Sequence, residues 1–417
     1  MHDTARSLAV VGIGSMGRGL AYQAGITPGV RCDALADIDL DRPIQWAAFL
    51  NRPCRVVRSA AEADAAIGAG SIAITDNAAV LADCRAIDVL IESSSDVAAG
   101  GVHAERFIAA RKHVVMMNAE ADLLFGPYLL RHAQEHGVVY TSTDGDQHGV
   151  IKRLVDDLRL WGLELVMAGN IKGFLDRAAN PTTIVPEAVK RNYDPKQTAG
   201  YTDGSKLNVE MALLANALGL STRTPGMSGP RLEHVTQVLE HFDFDAIRGD
   251  GPVVDYILGA EPNGGVFAVG YCDSAYQRSM LATLKMGDGP YYVVYRPYHL
   301  CHIEAMMTVM QAARGVPLLQ PVHGFRTNVY AYAKRDLRAG EHLDGVGGYC
   351  CYGLIENCDS SSPEGVPICL SDDMALVRDV RQGERLAWND VRADYRRPAW
   401  AMFEKARAAS ATMAGQH

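Results

Sequence analysis

The sequence predicts an α/β protein built around a Rossmann-type, doubly wound parallel sheet. The first observation is the apolar run at residues 8–11, which leads into a turn whose glycines have G-x-G-x-x-G spacing. The second is the alternation of strand-like runs with helix-length segments up to about residue 147, which is typical of a parallel sheet. The third is the length of 417 residues, which suits two to three domains.

The glycine turn has the residue types that a dinucleotide site requires. Gly12 permits a tight turn, Gly14 lets the backbone approach a pyrophosphate, and Gly17 allows close packing of the helix on the strand. The helix begins with Ser15 and Met16, and the backbone N–H groups at its start would hold the phosphates. A purely structural strand–turn–helix is the alternative. The flanking strand and helix favour dinucleotide binding.

The ends of the following strands supply the rest of the predicted cofactor site. The strand at residues 30–37 ends in Asp37, 20 positions after Gly17, where a carboxylate accepts hydrogen bonds from a ribose. Two further strands, at residues 86–92 and 113–118, lead into polar residues. Ligands bind at the carboxyl ends of parallel strands, so these residues are expected beside the nicotinamide half. They are Ser93, Ser94, Asn118 and Glu120.

Three domains are predicted along the chain. They are an NAD(P)-binding domain at 1–147, an α/β catalytic and dimerisation domain at 148–325, and a small β-rich domain at 326–417. The elements predicted in the middle domain are helices at 150–160, 209–218 and 304–314 and strands at 164–171, 264–272 and 290–295. In the last domain, residues 336–343 and 379–386 share the form D-φ-R-x-G-E-x-L. Two such copies predict a pseudo-duplicated β module with a glycine turn in each half.

Acidic residues follow the last strand of the first domain. Asp144 and Asp146 flank a glycine, and their carboxylates can act as metal ligands or as a base. An Asx turn that caps the next helix explains the same residues equally well. Lys172 lies at the end of a predicted strand, where a site residue and a solvated loop are equally compatible with the pattern.

Charged residues also precede an apolar helix. Asp203, Lys206 and Glu210 lead into a helix that is nearly all apolar. Lys206 and Glu210 are four positions apart, so an intrahelical ion pair is the plain interpretation. Charged groups at the start of a buried helix are costly to desolvate, and this cost favours a functional role.

A basic and histidine-containing stretch follows the strand at 290–295. Arg296 can bind a phosphate or carboxylate through two hydrogen bonds. His299, His302 and Glu304 suggest a metal site, but His-x-x-His is not a specific zinc spacing. Helix capping and packing are therefore favoured for the two histidines.

Composition narrows the choice of partners. The net charge of −9 and the absence of a basic block argue against nucleic-acid and membrane-surface binding. No apolar stretch approaches the ~20 residues that span a bilayer, and no signal core precedes the first strand. The nine cysteines are scattered, which favours reduced thiols and a cytoplasmic location.

Several motifs together resemble a known family. They are residues 115–122 (VMMNAEAD) with 126–128 (GPY), 203–206 (DGSK) with 209–211 (VEM), 296–300 (RPYHL) and 339–344 (AGEHLD). On these motifs the chain resembles the deoxyxylulose phosphate reductoisomerase-like (DRL) proteins. These are relatives of homoserine dehydrogenase that carry a C-terminal SAF domain with a β-clip-like fold.

The resemblance implies a homodimer that carries out a nicotinamide-dependent reaction on a small sugar-like substrate, with or without a phosphate. A divalent cation, Mg²⁺ or Mn²⁺, would hold two substrate oxygens and polarise the carbonyl. Asp144 and Asp146 are the candidate metal ligands. The candidate catalytic residues are Asp146, Lys172, Asp203, Lys206, Glu210, Arg296 and His299. Among them, Lys172 and Lys206 would protonate or stabilise an alkoxide.

Departures from the family pattern refine these expectations. Homoserine dehydrogenases usually carry Asn-Lys where this chain has Asn118 and Ala119, which argues against homoserine as the substrate. The acidic run at residues 37–41 would accept bonds from a ribose hydroxyl and repel a 2′-phosphate, so NAD is favoured over NADP. We therefore expect an NAD(P)-dependent oxidoreductase or reductoisomerase of a sugar, sugar acid or sugar phosphate. A sugar-acid lyase or isomerase, or a non-catalytic dinucleotide-binding protein, is the alternative.

Overall fold

The structure of the protein is a computed structural model, and it describes residues 5–358 and 364–413. The helices are α1 (Ser15–Ile26), α2 (Asp41–Phe49), α3 (Ala60–Gly68), α4 (Ala78–Ala82), α5 (Val97–Ala109), α6 (Ala119–His136), α7 (Gln147–Leu160), α8 (Val185–Arg191), α9 (Pro195–Thr202), α10 (Ser205–Leu218), α11 (Val238–His241), α12 (Phe244–Asp250), α13 (Ala275–Thr283), α14 (Cys301–Ala312) and α15 (Pro398–Met413). The strands are β1 (Arg6–Val11), β2 (Val30–Ala36), β3 (Cys54–Val56), β4 (Ile72–Thr75), β5 (Val89–Glu92), β6 (His113–Met116), β7 (Tyr140–Ser142), β8 (Glu164–Lys172), β9 (Val253–Leu258), β10 (Val266–Tyr271), β11 (Tyr291–Arg296), β12 (Thr327–Ala333), β13 (Cys351–Asn357), β14 (Ala375–Leu376) and β15 (Val391–Arg392). Within the described residues, no helix has the length and apolarity needed to cross a membrane.

The chain forms two compact units. The first contains the described residues up to Asp146, Leu300–Gly324 and the segment from Arg396 onward. Its seven-stranded sheet has the order β3-β4-β2-β1-β5-β6-β7, and all its strand pairs are parallel. The predicted doubly wound parallel sheet is confirmed. Because the strand order reverses between β1 and β5, a ligand crevice is expected at the carboxyl ends of these two strands.

Two late segments of the chain complete this first unit. Helix α14 packs on α1, where a Cβ on Gly19 would lie 2.6 Å from the His302 ring. Helix α15 packs on α5 and α6, and Lys405 Nζ lies 2.9 Å from a carboxylate oxygen of Glu105 on α5. The unit is therefore assembled from three separate parts of the sequence. The division into domains at 1–147, 148–325 and 326–417 stays a prediction.

The second unit contains Gln147–His299 and the described residues from Phe325 to Tyr395. Its four-stranded sheet has the order β11-β10-β8-β9, with β10 antiparallel to its neighbours and β8 parallel to β9. Strand β9 was not predicted, because a short apolar run interrupted by Asp255 gives no clear period. The buried Asp255 carboxylate accepts backbone N–H bonds from Ser228 and Gly229. Asp255 thus fixes a neighbouring loop.

Small antiparallel β pairs form the C-terminal part of the second unit. Strands β12 and β13 pair along their full length, and α10 packs on both. The Ser205 hydroxyl accepts a bond of 2.8 Å from the Gly353 N–H, and Asn208 Oδ1 accepts one of 2.9 Å from the Ile355 N–H. The identity of this part as an SAF domain stays a prediction.

The two copies of the sequence repeat make matched contacts with each other. Leu337 and Val380 exchange backbone hydrogen bonds of 2.8 and 3.0 Å. Asp336 Oδ1 accepts a bond of 2.8 Å from the Gln382 N–H, and Asp379 Oδ1 accepts one of 2.9 Å from the Ala339 N–H. Each copy thus caps the turn of the other, as expected for an internal two-fold relation.

Candidate functional site

The fold itself requires two glycines of the first turn. Gly12 has φ of +88°, which L side chains rarely adopt, and a Cβ on it would lie 2.5 Å from the backbone nitrogen of Ser94. A Cβ on Gly17 would lie 1.9 Å from the carbonyl oxygen of Gly12. These two positions exclude any larger residue because backbone meets backbone there. They bring the start of α1 close to the ends of β1 and β5.

The middle glycine of the motif differs from the other two. Gly14 has an ordinary φ of −79° and is the N-cap residue of α1, with no side-chain cap. A Cβ built on Gly14 meets no atom within 4 Å. Ser15 is exposed and Met16 half-buried at the first turn, which contains no acidic residue. The start of α1 is therefore open to an anion, and its N–H groups and dipole favour one.

Asp37 fixes the end of β2 against the glycine turn. One of its oxygens accepts a bond of 2.7 Å from the Ile13 N–H, and the other accepts one of 3.0 Å from the Asp39 N–H. The Arg42 guanidinium lies 3.9 Å from Asp37 and 3.2 Å from Asp39. Arg42 was missed in the sequence, although it directly follows the acidic run. Since this cation partly offsets the acidic charge, the preference for NAD over NADP stays a prediction.

Ser93 and Asn118 hold the backbone at the other side of the crevice. The Ser93 hydroxyl lies 2.9 Å from the carbonyl oxygens of both Val11 and Gly12. Asn118 caps α6 through a bond from the Ala121 N–H, and its amide also donates to the carbonyl of Asp96. Glu120 is half-buried in the first turn of α6. Ser93 and Asn118 therefore shape the site through the backbone, and cofactor contacts by either residue stay predictions.

A buried carboxylate below Ser94 was not foreseen. Glu92, the last residue of β5, is fully buried, and its Oε1 accepts a bond of 2.5 Å from the Ser94 hydroxyl. The same oxygen lies 3.1 Å from Nδ1 of His103 on α5. Its signal in the sequence is a single acidic residue that ends an apolar strand. Burying such a charge is costly in free energy unless it is paired and hydrogen-bonded.

The two acidic residues after β7 have different surroundings. Asp144 is fully buried, its Oδ1 accepts a bond of 2.6 Å from the Gly145 N–H, and its own N–H donates to the Thr308 hydroxyl. Asp146 is half-buried, and its Oδ1 lies 3.9 Å from Cys301 Sγ. The Asp144 bond reaches the next residue's N–H and not the N–H groups of α7, so the helix-capping interpretation also stays a prediction. The metal role of both residues stays a prediction.

Asp203 takes part in a buried ion pair. Its carboxylate lies 2.7 Å from Lys334 Nζ, and both side chains are almost inaccessible to solvent. Lys334 also donates to the carbonyls of Ala179 and Gly348, at 2.6 and 2.7 Å. Burial raises the pKa of the Asp203 carboxyl, while Lys334 and the backbone of Ser205 act in the opposite direction. These contacts give Asp203 a structural role, and its catalytic role stays a prediction.

Three other predicted residues share one edge of the second sheet. Strands β8 and β11 both run antiparallel to β10, so Lys172 and Arg296 end at the same edge. His299 follows there, and its Nδ1 lies 2.8 Å from the carbonyl oxygen of Gly264. The Arg296 guanidinium lies over the Tyr298 ring at 4.8 Å. Two cationic side chains and an imidazole at one edge suit an oxyanionic ligand.

The remaining predicted residues lie on α10. Lys206 is half-buried, with its Nζ 4.9 Å from the centre of the Tyr201 ring. Glu210 is buried one turn later on the same helix. Asn170 on β8 is fully buried, and its amide donates to the side chain of Gln147.

Comparison with known proteins finds a family match for the middle of the chain. Residues 145–305 match the family model described as "Oxidoreductase DRL, catalytic domain". A probable dehydrogenase from Thermotoga maritima is 11% identical over 76% of this chain and 91% of its own, with a TM-score of 0.44. A homoserine dehydrogenase from Thiobacillus denitrificans is 15% identical over 81% of this chain and 84% of its own, with a TM-score of 0.46.

A DOX-P reductoisomerase, solved with NADPH, fosmidomycin and magnesium, is 16% identical over 50% of this chain and 58% of its own, with a TM-score of 0.34. No curated protein matches the chain. The family model confirms the resemblance seen in the sequence motifs. Residues 145–305 are therefore similar to the catalytic domain of the DRL oxidoreductases.

Proposed function

We propose that the protein is an NAD-dependent oxidoreductase that acts on a small sugar-like substrate. The observation that carries the proposal is the contrast within the glycine motif. Gly12 and Gly17 are required by the fold, whereas a side chain on Gly14 would meet no protein atom within 4 Å. A glycine at that position serves a ligand whose phosphates approach the backbone closely. NAD supplies the hydride-accepting ring when it is bound.

The second unit supplies groups that suit a polar substrate. Arg296 can bind a carboxylate or phosphate of a sugar acid or sugar phosphate through two hydrogen bonds. Lys172 can stabilise the negative charge that develops when a hydroxyl is oxidised to a carbonyl. His299, whose Nδ1 is held at the Gly264 carbonyl, presents its other ring nitrogen for proton transfer. Each of these roles is assigned from position at the common sheet edge.

A divalent cation is compatible with the acidic residues after β7. Carboxylate oxygens are the ligands that Mg²⁺ and Mn²⁺ prefer. Asp144 already uses one oxygen to accept the Gly145 N–H bond. Asp146 is more exposed than Asp144 and follows it by two residues, so the proposal gives it the first role as a ligand. Such a cation would polarise the substrate carbonyl.

NADH binding by the purified protein tests the cofactor assignment. NADH fluorescence is titrated with wild type, Gly14→Glu and Gly25→Glu. Gly25 lies on the same helix, and a Cβ there also meets no atom within 4 Å, so it is a matched control. We expect Gly14→Glu to weaken binding by more than about 100-fold, because its carboxylate fills and repels the phosphate position. Gly25→Glu should bind as wild type does.

Equal NADH binding by wild type and a folded Gly14→Glu variant would remove the assignment. The reaction is then sought with ketose phosphates, tetronates and branched sugar acids, each with NAD or NADP and with or without Mg²⁺ or Mn²⁺. Substitution of Lys172 by Met should lower kcat on the substrate found. Turnover that proceeds fully without a nicotinamide cofactor would instead select a lyase or isomerase.

A further inference from the structure

The buried carboxylate of Glu92 lies at the switch point of the first sheet. Glu92 ends β5, the strand next to β1, and its side chain is fully inaccessible to solvent. Its Oε1 accepts from the Ser94 hydroxyl at 2.5 Å and lies 3.1 Å from His103 Nδ1. Its Oε2 is buried and has no hydrogen-bond partner within the described part of the chain. Among the described residues, hydrogen bonds therefore reach only one of the two carboxylate oxygens.

The hydrogen bonds that Ser94 donates to Glu92 all reach one carboxylate oxygen. The Ser94 hydroxyl and Ser94 N–H both point to Oε1, which acts as an acceptor. Oε2 has neither a donor nor an acceptor among the described residues. A carboxylate with one unpaired buried oxygen is costly unless a positive charge compensates for it. His103, whose side chain is 24% exposed, is the cationic partner only when it is protonated.

The position of Glu92 relates it to one half of the cofactor. In a sheet of this order, the adenosine half of a dinucleotide lies over the side that includes β2, where Asp37 stands. The nicotinamide half lies over the other side, which begins with β5. The oxidised nicotinamide ring carries one positive charge, whereas the reduced ring is neutral. A fixed negative charge below this half therefore distinguishes the two redox forms.

We propose that the Glu92 carboxylate makes the site bind the oxidised form of the cofactor in preference to the reduced form. This inference rests on the proposed function, since it requires a nicotinamide dinucleotide in the crevice. Glu92 acts through its electric field, because its carboxylate lies beneath Ser94 and out of reach of solvent. Preferential binding of the oxidised form would make the bound cofactor a weaker hydride acceptor, and its reduced form a stronger hydride donor, than in free solution.

The substitution Glu92→Gln removes the charge and keeps the shape. Glutamine retains an oxygen that accepts from Ser94 and lies beside His103. Its amide nitrogen replaces Oε2, the atom without a hydrogen-bond partner. Glu135→Gln is the charge-matched control, because Glu135 is 56% exposed on the last turn of α6. Any purely structural effect of Glu92→Gln would change the affinity for both cofactor forms alike.

The experiment measures Kd for NAD⁺, NADH and ADP-ribose, which lacks the nicotinamide ring. In Glu92→Gln we expect the ratio of NAD⁺ affinity to NADH affinity to fall by about tenfold, as one partly screened charge at close range allows. The affinity for ADP-ribose should stay within about twofold, and Glu135→Gln should keep the wild-type ratio. An unchanged ratio in Glu92→Gln, or an equal loss for all three ligands, overturns the inference.

A ligand-based test covers the case in which the variant does not fold. Benzamide adenine dinucleotide has the shape of NAD⁺ and a neutral ring. Wild type should bind NAD⁺ about tenfold more tightly than this analogue, and equal affinities would contradict the role of Glu92. If wild type binds none of the dinucleotides, the proposed function itself fails. If it binds them with no dependence on ring charge, only the present inference fails.

Discussion

The glycine turn of the first unit and Asp203 of the second are both features that the sequence analysis singled out. At the glycine turn, a Cβ on Gly14 would meet no atom within 4 Å. At Asp203, the charge already has a partner within the protein, 2.7 Å away. The difference teaches that the role of a backbone motif can be inferred from adjacent residues. The role of a single charged residue cannot, because its partner can come from a distant part of the chain.

The largest effect is expected from breaking the buried pair. Asp203→Ala leaves the Lys334 ammonium buried without its counter-charge, and we expect the free energy of unfolding to fall by about 3–5 kcal/mol. Urea denaturation measures this change. Glu187→Ala, which removes an exposed pair with Arg191 on α8, is the control and should cost less than about 1 kcal/mol. An Asp203→Ala variant that is as stable as wild type but inactive would instead indicate a catalytic role for Asp203.

Replacing a glycine that the fold requires should have the next largest effect. A Cβ on Gly17 would lie 1.9 Å from the Gly12 carbonyl oxygen, so Gly17→Ala forces the turn to move. We expect a loss of about 3 kcal/mol, at the upper end of the usual cost of overpacking. Gly25→Ala on the same helix should instead raise stability by about 0.5–1 kcal/mol. Thermal denaturation separates the two, and equal melting temperatures would mean that Gly17 serves the ligand alone.

The sequence repeat allows a smaller and symmetric test. Asp336→Ala and Asp379→Ala each remove a hydrogen bond to a backbone N–H of the other copy. Each loss should lower the free energy of unfolding by a small and similar amount. The exposed pair of Asp379 with Arg338 should add little. Chemical denaturation should give matching values for the two variants, and a large cost for one alone would exclude the two-fold relation.

The smallest effect concerns acid stability of the first unit. Burial lowers the pKa of His302 below the ordinary 6.5, so the unfolded chain takes up the proton more readily than the folded one. The stability gained from neutral His302 is therefore present above about pH 6.5 and is lost as the pH falls through and below that value. His302→Gln should reduce the difference in unfolding free energy between about pH 8 and about pH 5.5. Burial also lowers the pKa of His113, which remains in both proteins, so part of the pH dependence should persist in the variant. A pH dependence equal to that of wild type would contradict the role of His302.

Prediction from sequence succeeded where contacts are local. The first strand, the glycine turn and α1 follow from adjacent residues, and the alternation of elements gave the parallel sheet. Strand β3 was missed because its three residues are all exposed and carry no buried pattern. Lys334 was missed as the partner of Asp203 because the two lie in different predicted domains. Glu92 was overlooked because one acidic residue after an apolar run is common at strand ends.

The candidate site shows the same limit. Spacing predicted which residues end strands, and Lys172 and Arg296 do lie at one sheet edge. Spacing could not predict that the Asp144 carboxylate folds back on its own turn, or that Arg42 faces Asp37. Those arrangements depend on side-chain rotamers and on packing. Both are determined by the three-dimensional packing of the strands and loops, which residue spacing does not describe.

Helix α15 has a consequence for how the protein is made. It packs on α5 and α6, where a Cβ on Gly101 would lie 2.6 Å from the Met402 sulfur. A ribosome delivers the parallel sheet early in translation, but this covering helix emerges only after the entire second unit has been synthesised. The faces of α5 and α6 that α15 covers therefore stay exposed during that interval, when uncovered apolar surface favours aggregation.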